Sequence, residues 1–464
     1  MTIVAADTYN YWGEVKRGVG AGRFTIGCAA LSLALVAAAC GGDDGGSSGT
    51  TTSTAAPAAT TTVATTAPAS GSTTTAKPAS DDPNVAFPTL GAPTGKQMVV
   101  GLVNTEGTPG LDFPDIRLAA AGTIDYLNKH GGIGGRPVKL ETCVAKGSPE
   151  TSQACAQELV GKKVELVMLG LDLFPDYNTY SAAGVPVIGM LPILPGDYTA
   201  KAYFMTGGNA TSMAATAMVA KEHFKAETVG IVSADNLGAN GTLAALEASL
   251  DKAGIKHKAV KGGDNETDAG YQGLMREAAK DNPDVLVSLY SDAGCIGTIR
   301  GRAALGITIP VITTGICSGA KVLDQVGDDA VGWNFVGVQT QEDTPALAIL
   351  QEIMAPVLKL KPSEVDSTAL GLGGLALPMV LSIAVIGNTL VEEKSEVTGQ
   401  AVWDRLGKSD GLAYWPGNTP FDCGAATAYP AVCAFVFPVA EYKKGGDVVT
   451  VPGLEAISVL AYLP

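Results

Sequence analysis

The chain has 464 residues, of which 46% are hydrophobic, 17% charged and 6% aromatic, and a formal net charge of −15. A single hydrophobic core seldom organises more than about 250 to 300 residues, so two domains are expected, and the composition excludes a fibrous or wholly disordered protein. The acidic balance, with no Lys/Arg run, excludes nucleic acid as a partner, because its phosphates would be repelled.

Lys16, Arg17 and Arg23 precede an uncharged apolar stretch from Phe24 to Ala38, followed by Ala37-Ala38-Ala39-Cys40. A basic start, an apolar run and small residues before a cleavage point read as an export signal. The run is shorter than the roughly 20 residues that cross a bilayer. It resembles a bacterial lipoprotein signal, which implies that residues 1–39 are removed and that Cys40 carries a lipid anchor on the outer face of the cytoplasmic membrane. Ordinary secretion with a stray cysteine is the other reading, since Ala37 stands where such signals more often have Leu or Val. From Gly45 to Ser80 every residue is Gly, Ser, Thr, Ala or Pro except Val63 and Lys77. Such a segment buries too little apolar surface to offset the entropy of ordering, so residues 40–96 read as a disordered tether.

Beyond Met98 short apolar runs alternate with segments of helical period. Strands are predicted at Met98 to Val103, Pro137 to Thr142, Val164 to Met168, Pro186 to Gly189, Thr228 to Ser233, Val285 to Tyr290 and Ile309 to Thr313. Between the first two, Ile116, Ala120, Ile124 and Leu127 fall at helical spacing. This alternation implies βαβ units, and their number implies an α/β protein of two doubly wound parallel-sheet lobes. Ser367 to Val391 carries no charge and is long enough to span a membrane, but Gly371, Gly373, Gly374 and Pro378 interrupt it. Strand-like sequence follows at Ala434 to Val439, so we read the segment as a helix buried inside a lobe.

Of the eight cysteines, Cys28 leaves with the signal and Cys40 is assigned to the anchor. The remaining six lie in an oxidising compartment and permit three disulfides. The order of strands and helices favours Cys143 with Cys155, Cys295 with Cys317, and Cys423 with Cys433. Metal binding is the competing use, but there is no CxxC, and His130, His223 and His257 are scattered. No metal or other cofactor is expected.

The segment Gly131-Gly132-Ile133-Gly134-Gly135-Arg136-Pro137 follows a predicted helix and precedes a strand, the reverse of a phosphate-binding loop. We read it as a helix stop and a turn. With His130 it imitates an oxyanion-hole motif, but no Gly-x-Ser-x-Gly elbow accompanies it, and no catalytic constellation is found. An enzyme is not expected.

Three segments carry a family resemblance: Val99-Val100-Gly101-Leu102-Val103, the run from Asn128 through the glycine turn to Val138, and Asp284-Val285-Leu286-Val287 before Tyr290. With modest support from Phe421-Asp422-Cys423-Gly424, the chain resembles type I periplasmic-binding-protein-like receptors over nearly all of residues 97–464. The branch it is similar to is that of branched-chain amino-acid (Leu/Ile/Val)-binding proteins of ABC transport. The resemblance implies two lobes joined by three hinge crossings, residues 97–210 with 341–420 and residues 211–340 with 421–464. It further implies a monomer that closes on a small-molecule ligand and is recognised by an ABC permease.

Ligands of open α/β sheets sit beyond the carboxyl ends of the strands, which selects the same loops. The candidate ligand-binding residues are Asn104, Thr105 and Thr108 after the first strand, Asp172 and Leu173 after the third, and Met190, Pro192 and Leu194 after the fourth. In the second lobe they are Asp235, Asn236, Tyr290, Ser291, Asp292 and Thr314. In amino-acid-binding members the ligand carboxylate is held by hydroxyls and backbone amides of the third and fourth first-lobe loops, and its ammonium by a second-lobe acid. Here Met190-Leu191-Pro192-Ile193-Leu194-Pro195 offers no hydroxyl, and Thr314-Gly315-Ile316-Cys317-Ser318 offers no acid. An amino-acid ligand therefore needs another counter-charge, Asp172 or Asp292. The apolar fourth loop suits a ligand with a nonpolar body, on which Tyr290 can stack. Capture for a transporter is the first functional reading; a ligand-sensing receptor that signals through a partner without transport is the second.

Overall fold

The computed structural model describes residues 91–108, 112–337, 345–365, 373–408, 421–455 and 457–464. The export signal, Cys40 and the Gly/Ser/Thr/Ala/Pro-rich segment lie outside the described residues.

The first sheet contains β1 (Met98–Thr105), β2 (Val138–Ala145), β3 (Leu166–Leu169), β4 (Val187–Gly189) and β5 (Tyr203–Phe204), all parallel, in the order β2-β1-β3-β4-β5. β1 reads MVVGLVNT and is almost wholly buried, the pattern of a central parallel strand covered on both faces. Met98, Val100 and Leu102 point to one core with α1 (Pro114–Leu127), α9 (Pro345–Leu358), α10 (Gly373–Glu392) and α11 (Gly399–Leu406). Val103, Val167 and Leu169 point to the other, which includes Leu159 of α2 (Pro149–Gly161) and Tyr180 of α3 (Tyr177–Ala182).

The second sheet runs β13-β12-β10-β9-β8-β6-β7. Its parallel part is β6 (Thr228–Ala234), β7 (Lys256–Gly262), β8 (Val285–Leu289), β9 (Val311–Thr314) and β10 (Trp333–Val336). β12 (Val439–Tyr442) adds antiparallel to β10 and β13 (Val448–Thr450) antiparallel to β12, while β11 (Val436–Phe437) pairs with β14 (Ile457–Ser458). One face is covered by α4 (Gly208–Met218) and α5 (Leu237–Ala253). The other is covered by α6 (Asp268–Ala278), α7 (Asp292–Ala304) and α8 (Ala320–Val326). Helices on both faces of both sheets make each doubly wound, as the alternation of runs predicts.

All seven predicted strands form. Beyond these, β11 lies in the strand-like sequence at Ala434 to Val439, β10 (WNFV) is as long and as buried as β3 but was not predicted, and β7 is polar, reading KHKAVKG with Lys256, Lys258 and Lys261 exposed along the edge of the sheet. Lysines on an edge discourage pairing with another chain, and they also remove the apolar run by which a strand is recognised.

α10 is, among the described residues, the one helix long and apolar enough to cross a membrane, and it is instead buried against α1. A Cβ on Gly387 would stand 2.5 Å from Ile133, so glycine allows the glycine turn to approach the helix. Residues 367–372 of the uncharged segment lie outside the described residues.

Gly131, Gly132, Gly134 and Gly135 all have positive φ. The Gly132 N–H closes back on Leu127 O at 2.8 Å, ending α1. Arg136, next in the chain, forms a bidentate pair with Glu165 (2.6 and 2.8 Å) and donates to Lys96 O, Gln97 O and Val397 O. The most recognisable motif is therefore structural. It lies at the amino end of β2, away from the carboxyl edge of the sheet.

All three disulfides join the expected pairs, Cys143–Cys155, Cys295–Cys317 and Cys423–Cys433.

Candidate functional site

Each sheet reverses its direction of growth between neighbouring strands, at β1/β3 in the first and β6/β8 in the second. Beyond the carboxyl ends of such a pair the following loops diverge to opposite faces and leave a crevice, the general ligand position in open α/β sheets.

In the first sheet the loops after β1 and β3 are tied together by Asn104. Its Oδ1 accepts the Leu171 N–H (3.1 Å), and its Nδ2 donates to Phe113 O (2.7 Å) and Glu106 Oε1 (3.2 Å). Arg117 forks onto the Glu106 carboxylate at 2.8 and 2.9 Å, and Lys146 Nζ donates to Glu106 O at 2.8 Å. Thr108 Oγ1 donates to Lys146 O. The candidate polar contacts Asn104 and Thr108 thus shape the loop, in keeping with their role in turns. Thr105 differs: its side chain is wholly buried at the end of β1, and Oγ1 has no hydrogen-bond partner.

Asp172 is 3% exposed and holds the loop after β3. Its Oδ1 accepts Ser152 Oγ (2.6 Å) and Phe174 N–H (3.1 Å), closing an Asx turn that leaves the Phe174 ring 37% exposed. Burial pushes the Asp172 carboxyl up; the two hydrogen bonds oppose this and the nearby Asp197 adds to it. Leu173 is half-buried.

The loop after β4 is organised from its far end. Met190 and Pro192 are buried and Leu194 is half-buried. A 3-10 turn, Pro195–Thr199, follows, and Asp197 in it is 4% exposed. Asp197 Oδ2 accepts both the Ile193 N–H (2.7 Å) and the Leu194 N–H (2.8 Å), and Oδ1 accepts Tyr177 OH (2.7 Å). Burial and the Asp197 carboxylate both hold the Tyr177 hydroxyl above its usual range. The next residue, Tyr198, joins the core of the second sheet: its OH accepts the Ala210 N–H (3.1 Å) at the start of α4, and its ring meets Tyr429 edge-on. Sequence reading passed over Asp197 and Tyr198. A proline followed two residues later by an acid is a helix-start signal in which the acid reaches back to exposed N–H groups.

In the second sheet Asp235 and Asn236 are exposed. Asp235 accepts from Asn240 Nδ2 (3.1 Å), while Asn236 caps α5 through Ala239 N–H (2.8 Å) and donates to Asp264. Tyr290, expected to stack on a ligand, is 5% exposed and packed edge-on to Tyr271 inside the lobe, and its OH has no hydrogen-bond partner. The ring follows β8 into the core because Leu286 and Tyr290 share one face. Ser291 and Thr314 precede α7 and the turn after β9, and neither side chain caps the helix that follows. Asp292 opens α7, and its side chain lies outside the described residues. The Cys295–Cys317 bridge ties the first turn of α7 to the turn after β9, beside an exposed Ile316. The loop residues 109–111 also lie outside the described residues.

Two surface grooves lie elsewhere. One is lined by Asp268, Gln272 and Arg300 beside α6 and α7, the other by Lys163, Glu165 and Thr398, and neither contains an expected ligand residue. Among the described residues no group of His, Cys, Asp and Glu is arranged to hold a metal ion.

A family model described as periplasmic binding protein matches residues 97–373. No curated protein sequence matches. Among solved structures, an ABC transporter substrate-binding protein from Sphaerobacter thermophilus is similar at 18% identity and TM-score 0.61, over 79% of this chain and 99% of that one. The branched-chain amino acid transporter substrate-binding protein LivJ from Streptococcus pneumoniae, in complex with isoleucine, is similar at 15% identity and TM-score 0.56, over 77% of this chain and 100% of that one. An ABC transporter solute-binding protein from R. palustris in complex with benzoate is similar at 16% identity and TM-score 0.55, over 78% and 98%. At such identities the likeness is one of fold, the two-lobed type I periplasmic binding architecture.

Proposed function

The chain belongs to the periplasmic binding protein family, and from that premise we propose that it is an extracytoplasmic solute-binding lipoprotein. It captures a small molecule by hinge closure and delivers it to an ABC permease. The observation that carries this reading is the pair of doubly wound sheets, each with a strand-order reversal and a set of loops at its carboxyl edge. Residues 97–210 with 341–420 form the first lobe, and residues 211–340 with 421–464 the second. The partition is supported by α9, α10 and α11 sharing a core with β1, and by β12 and β13 extending the sheet of β6 to β10. Ligand contacts to both lobes shift the population toward a closed form, which the permease reads. The protein binds and does not transform its ligand.

Cys40 is the lipidated residue, the segment after it the tether, and the molecule a monomer on the outer face of the cytoplasmic membrane. The ligand has a nonpolar body. Among the described residues Phe174 and Ile316 are the exposed large apolar side chains on the loops selected above, and Ile316 falls in the loop from which amino-acid binders supply an acid. Two structural neighbours carry small molecules with an apolar body, isoleucine in one and benzoate in the other.

Native mass spectrometry of the purified protein tests the reading. A co-purified small molecule that raises Tm and compacts the protein in small-angle scattering is expected. A protein that carries no small molecule, and that no compound in a broad metabolite screen stabilises, would falsify it.

A further inference from the structure

The chain first passes from one sheet to the other at Gly207 and Gly208. The last bonds to the first sheet are Met205 N–H to Gly189 O (2.9 Å) and Thr206 N–H to Met190 O (3.0 Å). α4, which covers the second sheet, begins at Gly208. Gly208 has a φ of +57°, and a Cβ there would stand 2.1 Å from Pro192 O. Two residues without side chains between two packed bodies are where backbone torsions can absorb a change of angle.

Tyr198 spans this pair. Its backbone belongs to the first lobe: its carbonyl accepts Ala431 N–H (3.1 Å), and Ala431 O accepts the N–H of Phe204 in β5 (2.7 Å). Its side chain belongs to the second. The ring lies in the core beneath α4 and meets Tyr429 edge-on, and the hydroxyl accepts Ala210 N–H at 3.1 Å. That N–H is in the first turn of α4, whose N-cap is Gly207 and which has no cap from a side chain at that position. The first N–H groups of a helix lack internal partners, and the N-cap side chain ordinarily answers one of them. Here one lobe caps the first helix of the other, and the capping bond runs across the glycine pair. The support behind it is firm, because the segment Ala431 to Phe435 is shared between the cores. Cys433 and Ala434 pack with the first sheet, Val432 and Phe435 with the second, and Cys433 is bridged to Cys423.

We propose that Tyr198 is a strut across the hinge, a positioning residue anchored in the first lobe that caps α4 of the second and so fixes the angle at which the lobes stand before a ligand arrives. Removing the hydroxyl releases the start of α4 from the first lobe while the ring keeps its packing, and the glycine pair then bends over a wider range. This rests on the reading of the two lobes as bodies that close on a solute, and adds to it the part that limits their motion.

The test uses the full chain, freed of small molecules by dialysis. A keto-bearing residue encoded in place of the exposed Lys361 in the first lobe, and another in place of the exposed Lys258 in the second, carry spin labels, and pulsed electron–electron resonance reads the distances between them. Tyr198→Phe is compared with the parent chain and with Tyr271→Phe, which also loses one phenol bond, to Asp264 O (3.0 Å), but within the second lobe. A single narrow distribution is expected in the parent and in Tyr271→Phe, and a broader one in Tyr198→Phe. Amide exchange in the first turn of α4 should be about tenfold faster in Tyr198→Phe. An unchanged distribution in Tyr198→Phe overturns the proposal whatever the exchange shows, because the hydroxyl would then be a local cap alone. Equal broadening in Tyr271→Phe overturns it too, as does a broad distribution in the parent, which is read without any variant. Failure of the solute-binding reading looks different: no co-purified molecule, and no compound of any class that stabilises the parent chain.

Discussion

Asp172 shows how a side chain that looks like a ligand contact can be absorbed by the fold. It is buried, its bonds to Ser152 and Phe174 are internal, and its carboxyl is pushed up by burial. A group whose folded pKa is raised contributes stability in full below its unfolded range, near 3.8, and loses it as pH rises through the folded value. Asp172→Asn keeps an oxygen for both donors and removes the charge. It should therefore raise Tm at neutral pH, with the advantage shrinking as pH falls toward the ordinary aspartate range; thermal melts of both proteins across pH 3 to 8 measure the difference. Thr105 is the converse, a buried hydroxyl with no partner. Thr105→Val removes an unsatisfied group that costs about 1–3 kcal/mol and should raise Tm. If the hydroxyl serves the ligand, affinity falls in the same variant, which titration with the co-purified molecule will show. Tyr290 also has an unpartnered hydroxyl, but its ring lies in the core. Tyr290→Phe is accordingly expected to leave Tm unchanged or higher, and a fall of several degrees would mean that the hydroxyl has a partner in solution.

At the level of elements, the disulfides close loops with sequence separations of 22, 12 and 10 residues for Cys295–Cys317, Cys143–Cys155 and Cys423–Cys433. Each should contribute about 2–4 kcal/mol, with a shallow preference for the longest. Paired Cys→Ala replacement should lower Tm in all three, most for Cys295 and Cys317, as calorimetric melts will report. The pairing was legible because strand order determines which loops are neighbours. The seven predicted strands were legible because buried parallel strands are continuous apolar runs. β7 was not, because its lysines protect an edge, and β5, at two residues, is too short to have a period. The loops divided in the same way. Their positions followed from strand ends, but which side chains remain free depended on bonds such as Asn104 to Leu171 and Asp197 to Ile193, whose partners are set by tertiary approach.

For the whole molecule, the proposed anchor and the proposed capture of a ligand can be tested separately. Cys40→Ser should move the protein from the membrane fraction to the medium and leave ligand affinity unchanged. Fractionation followed by titration checks both halves, and retention at the membrane would refute the lipid anchor. The two sheets also differ in when they can be finished. One face of the first is covered by α9, α10 and α11, and the second takes β12 and β13 from the last 26 residues. Phe204, at the edge of the first sheet, is bonded to Ala431 and Cys433. Contacts of such long sequence separation slow folding, since the loops between them must close before any contact rewards it. If the chain is exported from its amino end as proposed, it crosses with both cores open, and the three disulfides and the last strands are then completed together on the far side.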